Sequence, residues 1–321
     1  MVRLAVIGAG SHSTSNHGAA LRACKAAHPD EIELAAVCDL DPKKAQAYAS
    51  KFGFLKTYGD YDEMLASERL DGLIAITPLR LTEQIAGDLL TKGLPLVIEK
   101  PPGERSEATR RLLEIARRHG TPHMISFNRR FAPVIAKARE WLAGPGKGRP
   151  PRLMIGRMLR RARREEEFVV GTGIHLIDAI LSFMDRPEEV FTRKTPSGVE
   201  GRYFYDASVR FRDGALANFI ISSDVGVDEE TFEIHGQEYC IQIDRVACRL
   251  RVFDRGREAL SWQAPEGAED AFTCGAVDET KAFIRSIKEG KGYWPDLKDG
   301  LVSMIVSEAV EAGGEVRIDV G

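Results

Sequence analysis

Two short segments of this 321-residue chain combine residue types that could act on a nucleotide cofactor. Gly8-Ala9-Gly10 comes directly after one apolar run, and Glu99-Lys100-Pro101 comes after another. Glycines that follow a strand allow the backbone to approach a pyrophosphate, and a nearby lysine can polarise a reacting oxygen. Each segment alone is a weak signal, but together they predict nicotinamide chemistry.

The glycine segment matches the dinucleotide-binding pattern only in part. Gly8 permits a tight turn and Gly10 permits close approach to the pyrophosphate, but the third position of the pattern is Ser13. Hydroxyl groups at Ser11 and Ser13 could compensate as donors to phosphate. The alternative is a glycine turn with a serine cap and no ligand. The strand–turn–helix context favours the cofactor.

Asp39 ends the second apolar run, near the separation at which a carboxylate meets the ribose hydroxyls of the adenosine. A carboxylate there repels a 2′-phosphate, which favours NAD over NADP, although Lys43 and Lys44 keep NADP open. Asp39 could instead join Asp41 in capping the next helix. Cofactor contact is the favoured interpretation.

Thr77-Pro78 and Lys100-Pro101 each follow a predicted strand, and open α/β sheets bind ligands at that carboxyl edge. A proline after a strand stops the hydrogen-bonding ladder and fixes the direction of the chain. Burial of an unpaired ammonium is costly, which argues against a structural role for Lys100 unless it pairs with Glu99. Beside a nicotinamide, Lys100 could serve as an acid–base or polarising group.

The composition is that of an ordinary globular protein, with 43% hydrophobic residues, 29% charged residues and a formal net charge of −3. Neither a basic excess nor an acidic tail indicates binding to nucleic acid or to a membrane surface. No apolar run reaches the roughly 20 residues of a membrane helix, and we expect no signal peptide. The five cysteines are scattered and never spaced as Cys-x-x-Cys, which favours reduced thiols in a cytoplasmic protein and predicts no metal site.

The first part of the chain alternates apolar runs with amphipathic stretches, the pattern of a doubly wound parallel sheet covered by helices on both faces. The predicted strands are Leu4–Ile7, Leu34–Cys38, Gly72–Ile76, Leu96–Ile98 and Met124–Phe127. Helices are predicted to begin at Asp41-Pro42 and at Ser106, and the second is predicted to end at Gly120.

Strands dominate after a segment rich in glycine and proline at residues 144–151. Alternating residues from Tyr203 to Phe211 lead to Asp213-Gly214, a hairpin signal, and later runs predict an open, mostly antiparallel sheet. Two helices, Val277–Lys288 and Leu297–Glu311, close the chain. We therefore expect a dinucleotide-binding α/β Rossmann domain at 1–123 and an α+β domain for substrate and oligomerisation at 124–321.

The motifs resemble those of the Gfo/Idh/MocA oxidoreductases, a family of sugar and cyclitol dehydrogenases. The resemblance covers essentially the whole chain and is carried by Gly8-Ala9-Gly10, Asp39, Thr77-Pro78, Glu99-Lys100-Pro101, Phe127-Asn128-Arg129-Arg130-Phe131 and Gly173-Ile174-His175-Leu176-Ile177-Asp178. It implies a Rossmann domain followed by an open-sheet domain that forms homodimers or homotetramers. It also implies that Lys100 contacts the reacting hydroxyl and the nicotinamide ribose, and that His175 accepts the proton.

The residues expected to contact the cofactor lie in these motifs and in the turn after the first strand. They are Gly8, Gly10, Ser11, Ser13, Asp39, Thr77, Pro78, Glu99, Lys100 and Asn128. His12 and His17 flank the glycine turn and are interpreted only as loop or cap residues.

His175 lies near the start of a predicted amphipathic helix, so its imidazole is expected at one edge of the packed face. Histidine titrates near neutral pH, which suits removal of a hydroxyl proton as a hydride leaves. The alternative is a partly buried histidine held by Asp178 one turn later. With Lys100 in the chain, catalysis is favoured.

One position departs from the family pattern. Many members carry an aspartate four residues before this histidine, where it helps to bind or deprotonate substrate, and this chain has Gly171. Asn and His positions that are common after the Thr-Pro step are also replaced, by Leu79 and Thr82. We therefore expect fewer polar contacts to a polyol substrate than in those family members. A different substrate, a different reaction or lost catalysis stays open.

A run of five arginines precedes Glu165-Glu166-Glu167 and leads towards His175. They are Arg157, Arg160, Arg161, Arg163 and Arg164. Guanidinium groups suit carboxylates and phosphates, so an acidic or phosphorylated sugar is conceivable. A solvated loop in which the arginines pair with the glutamates is favoured. The candidates for substrate contact are Arg129, Arg160, Thr172 and Asp178.

The leading hypothesis is an NAD(P)-dependent dehydrogenase of a sugar, cyclitol or related polyol, in which Lys100 polarises the oxygen and His175 takes the proton. A lyase or glycosidase that retains NAD and uses transient oxidation is a second hypothesis. A non-catalytic NAD-dependent sensor is a third.

Overall fold

The protein forms two compact units in the computed structural model, which describes residues 1–165 and 167–319. The first unit comprises Met1–Asn128 and Glu269–Gly300, and the second comprises Arg129–Ala268 and Leu301–Gly321. The predicted boundary at 123/124 had placed residues 269–300 in the second domain. They join the first unit because Phe283 and Ile287 pack directly over Gly72 of its sheet.

The first unit is built on six parallel strands in the spatial order β3-β2-β1-β4-β5-β6. The strands are β1 (Val2–Ile7), β2 (Ile32–Cys38), β3 (Lys56–Tyr58), β4 (Gly72–Ala75), β5 (Leu96–Glu99) and β6 (His123–Ser126). Their apolar residues are almost wholly buried, as expected where helices cover both faces. The predicted doubly wound sheet is confirmed, and the short edge strand β3 was missed.

Helices connect these strands. They span Ser11–Ser15, His17–Ala27, Pro42–Phe52, Tyr61–Ser67, Leu79–Thr91, Ser106–His119, Asp270–Thr273 and Ala276–Glu289. Asp41 caps the third, because its carboxylate accepts a hydrogen bond from the Lys43 amide at 3.0 Å, and Pro42 occupies the first turn. Ser106 is the first helical residue of its helix, which ends before Gly120 in the left-handed conformation.

The strand order reverses between β1 and β4, and β5 lies beside β4. In such sheets the crevice at the carboxyl ends, next to the reversal, is where ligands bind. The glycine turn after β1 and Glu99-Lys100 at the end of β5 therefore lie at one edge of this sheet.

The second unit is built on a nine-stranded sheet in the order β14-β13-β12-β11-β7-β10-β9-β8-β15. The strands are β7 (Leu153–Leu159), β8 (Pro187–Pro196), β9 (Tyr203–Phe211), β10 (Leu216–Ser222), β11 (Glu229–Gly236), β12 (Tyr239–Asp244), β13 (Arg249–Asp254), β14 (Arg257–Gln263) and β15 (Gly314–Arg317). Among the described strands of this second sheet only β7 and β10 pair in parallel, so the mostly antiparallel prediction is confirmed. The predicted hairpin at Asp213-Gly214 joins β9 to β10.

One face of this sheet carries the core of the second unit. Phe211, Phe219 and Phe232 are buried there with apolar residues of the helices Pro133–Ala143 and Ile174–Leu181. A 3₁₀ turn (Asn128–Phe131) precedes the first of these helices and a π-helical turn (Val169–Gly173) precedes the second, and the last long helix spans Leu297–Ala312. Across the described ranges, no helix combines the length and apolar composition needed to cross a membrane.

The glycine turn offers a test of the fold with a built-in control. Gly8 has φ +101°, and a Cβ there would overlap the carbonyl oxygen of Ile76, whereas Gly10 has φ −71° and open space at its Cβ position. We expect Gly8→Ala to lower the unfolding midpoint strongly, because both backbone strain and a backbone clash oppose it. Gly10→Ala should unfold like the wild type in the same thermal melt but bind NADH more weakly in a fluorescence titration. Equal midpoints for the two variants would contradict this assignment.

Candidate active site

The glycine turn is held by two hydrogen bonds that its amides donate to residues at the end of β2. The Gly8 amide donates to the Cys38 carbonyl at 2.8 Å, and the Ala9 amide donates to the Asp39 carboxylate at 2.8 Å. The other Asp39 oxygen accepts from the Asp41 amide at 2.9 Å. Asp39 therefore supports the turn and the start of the next helix together, and the open space over Gly10 leaves room for a ligand group against the backbone.

Ser13 does not take the phosphate-binding role considered for it. Its side chain is fully buried, and its hydroxyl donates to the Tyr48 hydroxyl at 3.0 Å. The third position of the glycine pattern governs packing between helix and neighbouring elements, and Ser13 serves that purpose by contact with the helix Pro42–Phe52. Ser11, which is exposed, keeps a hydroxyl available at the turn.

The carboxylate of Glu99 is buried between two imidazoles that were interpreted only as loop residues. His17 Nε2 lies 2.7 Å from one Glu99 oxygen and His12 Nε2 lies 3.2 Å from the other. The side chain of His17 is 5% exposed and that of His12 is 48% exposed. This cluster, His12–His17–Glu99, stands directly before Lys100 in the chain and beside the glycine turn.

The cluster keeps a negative charge inside the unit. Burial raises the pKa of the Glu99 carboxyl, but hydrogen bonds and charge from His12 and His17 outweigh burial and hold that pKa below its ordinary value. Two imidazole nitrogens and a carboxylate oxygen, all within 4.8 Å of one another, are also a donor set that a divalent ion such as Zn²⁺ can use. Hydrogen bonding accounts for the arrangement without an ion.

Topology was the signal that could have found this cluster. The turn after β1 and the end of β5 are separated only by β4, so side chains near the two points can meet. Two histidines flanking the glycine turn and a glutamate at a strand end are the residues concerned. The sequence shows all three, but their convergence depends on the strand order.

Lys100 and Thr77 occupy the same carboxyl edge. Lys100 is half-buried at the end of β5 and is joined to Pro101 by a cis peptide bond. Pro78 starts the helix Leu79–Thr91, and the Thr77 hydroxyl lies 3.2 Å from that of Thr82 within its first turn. Thr82 is thus part of the support of this helix.

Asn128 binds inside the first unit. Its amide donates to the Cys274 thiol at 3.5 Å, and Cys274 in turn lies 3.8 Å from the Asn16 side-chain oxygen. The Asn16 amide nitrogen is 3.2 Å from His12 Nδ1. These contacts link the returning segment 269–300 to the helix after the glycine turn.

His175 lies in the second unit, buried at the start of the helix Ile174–Leu181. Asp178, one turn later, accepts two hydrogen bonds from Arg130 at 2.8 Å each and one from Ser303 at 2.9 Å. Asp178 is completely buried, so this ion pair anchors the helix and sets the position of His175.

The π-helical turn before His175 is open on one side. A Cβ at Gly171 would meet nothing within 4 Å, and Thr172 beside it is half-exposed. The Thr172 hydroxyl donates to Glu165 at 2.9 Å, and Arg163 also binds Glu165, at 2.7 Å. The turn therefore has room for a substrate group and carries the Thr172 hydroxyl, against which the Glu165 carboxylate lies.

The arginine run pairs mainly with a different acidic segment from the one expected. Arg157 binds Glu229, Arg161 binds Asp228 and Arg160 binds Glu230, while Arg163 alone of these four pairs with Glu165. The expected partner Glu166 lies outside the described residues. The reason is the strand register. β7 and β11 are antiparallel neighbours with Leu159 opposite Glu229, so the arginines around the end of β7 meet the acids around the start of β11.

Two family models match the chain over most of its length. Residues 2–127 match the oxidoreductase family with an NAD-binding Rossmann fold, and residues 146–242 match the Gfo/Idh/MocA C-terminal domain. The chain belongs to the Gfo/Idh/MocA family. The predicted family is confirmed, and the first unit is its NAD-binding domain, in an NAD-dependent oxidoreductase.

Curated proteins similar to this chain include some that are named as dehydrogenases of a sugar or a cyclitol. Inositol 2-dehydrogenase of Rubrobacter xylanophilus is 25% identical over 294 residues, 86% of this chain and 82% of that protein. The rhizopine catabolism protein MocA of Rhizobium meliloti is 30% identical over 138 residues, but these are only 43% of this chain and 41% of that protein. Levoglucosan dehydrogenase in complex with NADH and L-sorbose has the same fold, with a TM-score of 0.86 at 19% identity over 99% of both chains.

The histidine–glutamate cluster predicts unequal effects for its two imidazoles. His17→Ala should lower the free energy of unfolding by about 1–3 kcal/mol, because it leaves one oxygen of a buried carboxylate without its partner. His12→Ala should cost less, because water can replace a half-exposed side chain. Urea unfolding of both variants at neutral pH measures the difference. A loss for His12→Ala as large as that for His17→Ala would show that burial does not govern the cluster.

Proposed function

We propose that this protein oxidises a secondary alcohol of a sugar, cyclitol or related polyol, or reduces the corresponding ketone, with NAD as the hydride carrier. Membership of the Gfo/Idh/MocA family supports the reaction class. The main structural support for the proposed reaction is the carboxyl edge of the first sheet. The glycine turn, Asp39 and Lys100 all lie at this edge, next to the reversal of strand order.

In the proposed mechanism Lys100 binds and polarises the reacting oxygen, and His175 exchanges the hydroxyl proton. The nicotinamide, when bound, supplies the hydride chemistry. An ammonium suits the first role because it stabilises negative charge that develops on the oxygen, and an imidazole suits the second because it gains or loses a proton near neutral pH. The Arg130–Asp178 ion pair supports this by fixing the helix of His175.

The proposed cofactor contacts are the backbone at Gly8 and Gly10, the Ser11 hydroxyl, and Asp39, with Thr77, Pro78 and Glu99 lining the same edge. The residues fit a dinucleotide, because space is open over Gly10 and Asp39 lies at the end of β2. Asn128, whose amide nitrogen donates to the Cys274 thiol at 3.5 Å, stays as a proposed cofactor contact.

Thr172, Arg129 and Arg160 stay as proposed substrate contacts. Thr172 is half-exposed at the open turn, and the two arginines keep about a tenth of each side chain exposed, 13% and 11%. Asp178 is assigned instead to support of the helix, because its carboxylate is fully buried.

Substitution of Lys100 tests the reaction. Lys100→Ala should lower kcat by a factor on the order of 10²–10⁴ and leave NADH binding within a few-fold of wild type, because polarisation acts on the reacting oxygen. Exposed Lys298→Ala is the matched control and should keep full turnover. NADH fluorescence in a screen of polyols, aldonates, uronates and phosphosugars gives both readouts. Unchanged turnover of Lys100→Ala would remove the lysine from the mechanism.

We also propose that the protein assembles as a homodimer or homotetramer through the open face of its second sheet. Four large apolar side chains are exposed on the adjacent strands β8, β9 and β10. They are Phe191, Phe204, Leu216 and Ile220. Exposed apolar groups concentrated on one surface are typical of an interface.

A charge on that face should break the assembly. Ile220→Glu is expected to lower the mass measured by light scattering after gel filtration, because a buried unpaired carboxylate opposes association. Val246→Glu, on an exposed apolar residue in the turn between β12 and β13, should leave the mass unchanged. An assembly that survives Ile220→Glu would place the interface elsewhere.

A further inference from the structure

Three arginines of the second unit converge on one buried carboxylate. Arg160 Nη2 lies 2.5 Å and Arg245 Nε lies 3.0 Å from the same Glu230 oxygen, and Arg129 Nε donates to the other oxygen at 2.9 Å. Glu230 is completely buried, while the three guanidinium side chains remain 11–13% exposed. We call Arg129, Arg160, Arg245 and Glu230 the arginine cluster.

The cluster holds more positive charge than its carboxylate neutralises. Even with Arg129 left aside, Arg160 and Arg245 share one oxygen of a single acid. Burial lowers the pKa of Arg160, and repulsion from Arg245 and Arg129 adds to that effect, so that the attraction of Glu230 is outweighed. Burial raises the pKa of Glu230, but the three arginines outweigh it and lower that pKa to about 2. Glu230 is therefore a permanent single charge among several cations.

A second buried acid in the same unit, Asp178, binds one guanidinium and the Ser303 hydroxyl among the contacts described. Asp178 is as fully buried as Glu230, and one guanidinium, from Arg130, binds both of its oxygens. Glu230 has two guanidiniums more than Asp178 has among these contacts, and like charges held together in a poorly hydrated place are costly.

Arg245 also has an unused donor. Its Nε lies within ion-pair distance of Glu230, yet within the described part of the chain this buried N–H has no hydrogen-bond partner. The loop itself is held separately, because the backbone N–H of Arg245 donates to the Glu230 carbonyl at 2.9 Å. The Arg245 Nε is thus held beside Glu230, but within the described residues its N–H makes no hydrogen bond.

The arginine cluster lies at the same end of the second sheet as the turn that carries His175. The Arg160 amide donates to the Ser222 carbonyl at 2.9 Å, and Gly173 packs against the adjacent Ile221. Gly171, two residues before Gly173, contributes no side chain, and a Cβ there would meet nothing within 4 Å.

We propose that the arginine cluster binds the acid group, a carboxylate or a phosphate, of the sugar on which the enzyme acts. Guanidinium groups present parallel N–H donors that match the oxygens of both groups, and an incoming anion balances the excess charge. All four residues of the arginine cluster belong to the second unit. The identity of the anion as part of the substrate rests on the proposed dehydrogenase function, whereas the anion site itself does not.

Calorimetric titration of the whole protein, saturated with NADH to occupy the pyrophosphate site, tests the cluster. The probes are inorganic phosphate, D-gluconate and the neutral analogue D-glucitol. We expect at least one anion to bind roughly tenfold or more tightly than D-glucitol, and Arg245→Gln to weaken that binding by about tenfold or more. If Arg245→Gln weakens the binding of phosphate, the acid group is a phosphate. If it weakens the binding of D-gluconate, the acid group is a carboxylate.

Arg249→Gln is the matched control, because Arg249 follows the same turn but its side chain is 53% exposed and pairs with Asp244. It should leave anion binding unchanged. If Arg245→Gln unfolds, Glu230→Gln gives a second measurement: phosphate should raise its unfolding midpoint more than that of the wild type. Equal effects of Arg245→Gln and Arg249→Gln, or anions that bind no better than D-glucitol, would overturn the inference.

The two proposals fail separately. Lys100-dependent reduction of NAD by a neutral polyol, without Arg245-dependent anion binding, overturns the acid-group site and leaves the dehydrogenase. Arg245-dependent anion binding with no NAD reduction by any sugar keeps the anion site and removes the dehydrogenase.

Discussion

The parallel pairing of β1, β4 and β5 is the constraint on which the first unit depends. It brings three strand ends to one edge, so that residues far apart in sequence become neighbours. Gly8 can carry no side chain because the end of β4 passes directly over it, at Ile76. The same closeness lets His12 and His17, after β1, reach Glu99 at the end of β5. The cofactor edge is thus a product of strand order more than of any single motif.

Both units contain buried carboxylates, and their partners differ in a way that affects function. Glu99 is held by imidazoles, whereas Asp178 and Glu230 are held by guanidiniums. Guanidinium stays charged at any physiological pH, so the support of the His175 helix and the arginine cluster does not vary with pH. The contacts of His12 and His17 hold the Glu99 carboxylate next to Lys100 in the first unit. Each unit thus holds its own buried carboxylates with partners from within that unit.

Sequence alone predicted what local rules determine. Apolar runs located five of the six strands of the first sheet, and Asp41-Pro42 and Gly120 marked helix ends, because capping and left-handed turns depend on neighbouring residues. It missed relations that depend on register or strand order. Ser13 looked like a phosphate ligand until its hydroxyl proved to face Tyr48, and the acids opposite the arginine run were misassigned because the pairing of β7 with β11 has no local signal. The return of residues 269–300 to the first unit is equally non-local.

The surroundings of Gly171 differ from an ordinary helical turn in their backbone and in their charged groups. A π-helical turn widens the backbone just before His175, and such turns are frequent at functional sites. The turn has no carboxylate of its own, but Glu165 lies against it through Thr172, and Arg163 binds the same carboxylate. Burial raises the pKa of Glu165, yet hydrogen bonds from Arg163, its own backbone and Thr172 keep that pKa below the ordinary value. The negative charge beside His175 is therefore displaced from the turn to a neighbouring segment and partly neutralised there. Gly171 itself brings no charge to the turn, whereas an aspartate at this position would repel the acid group that we propose for the substrate.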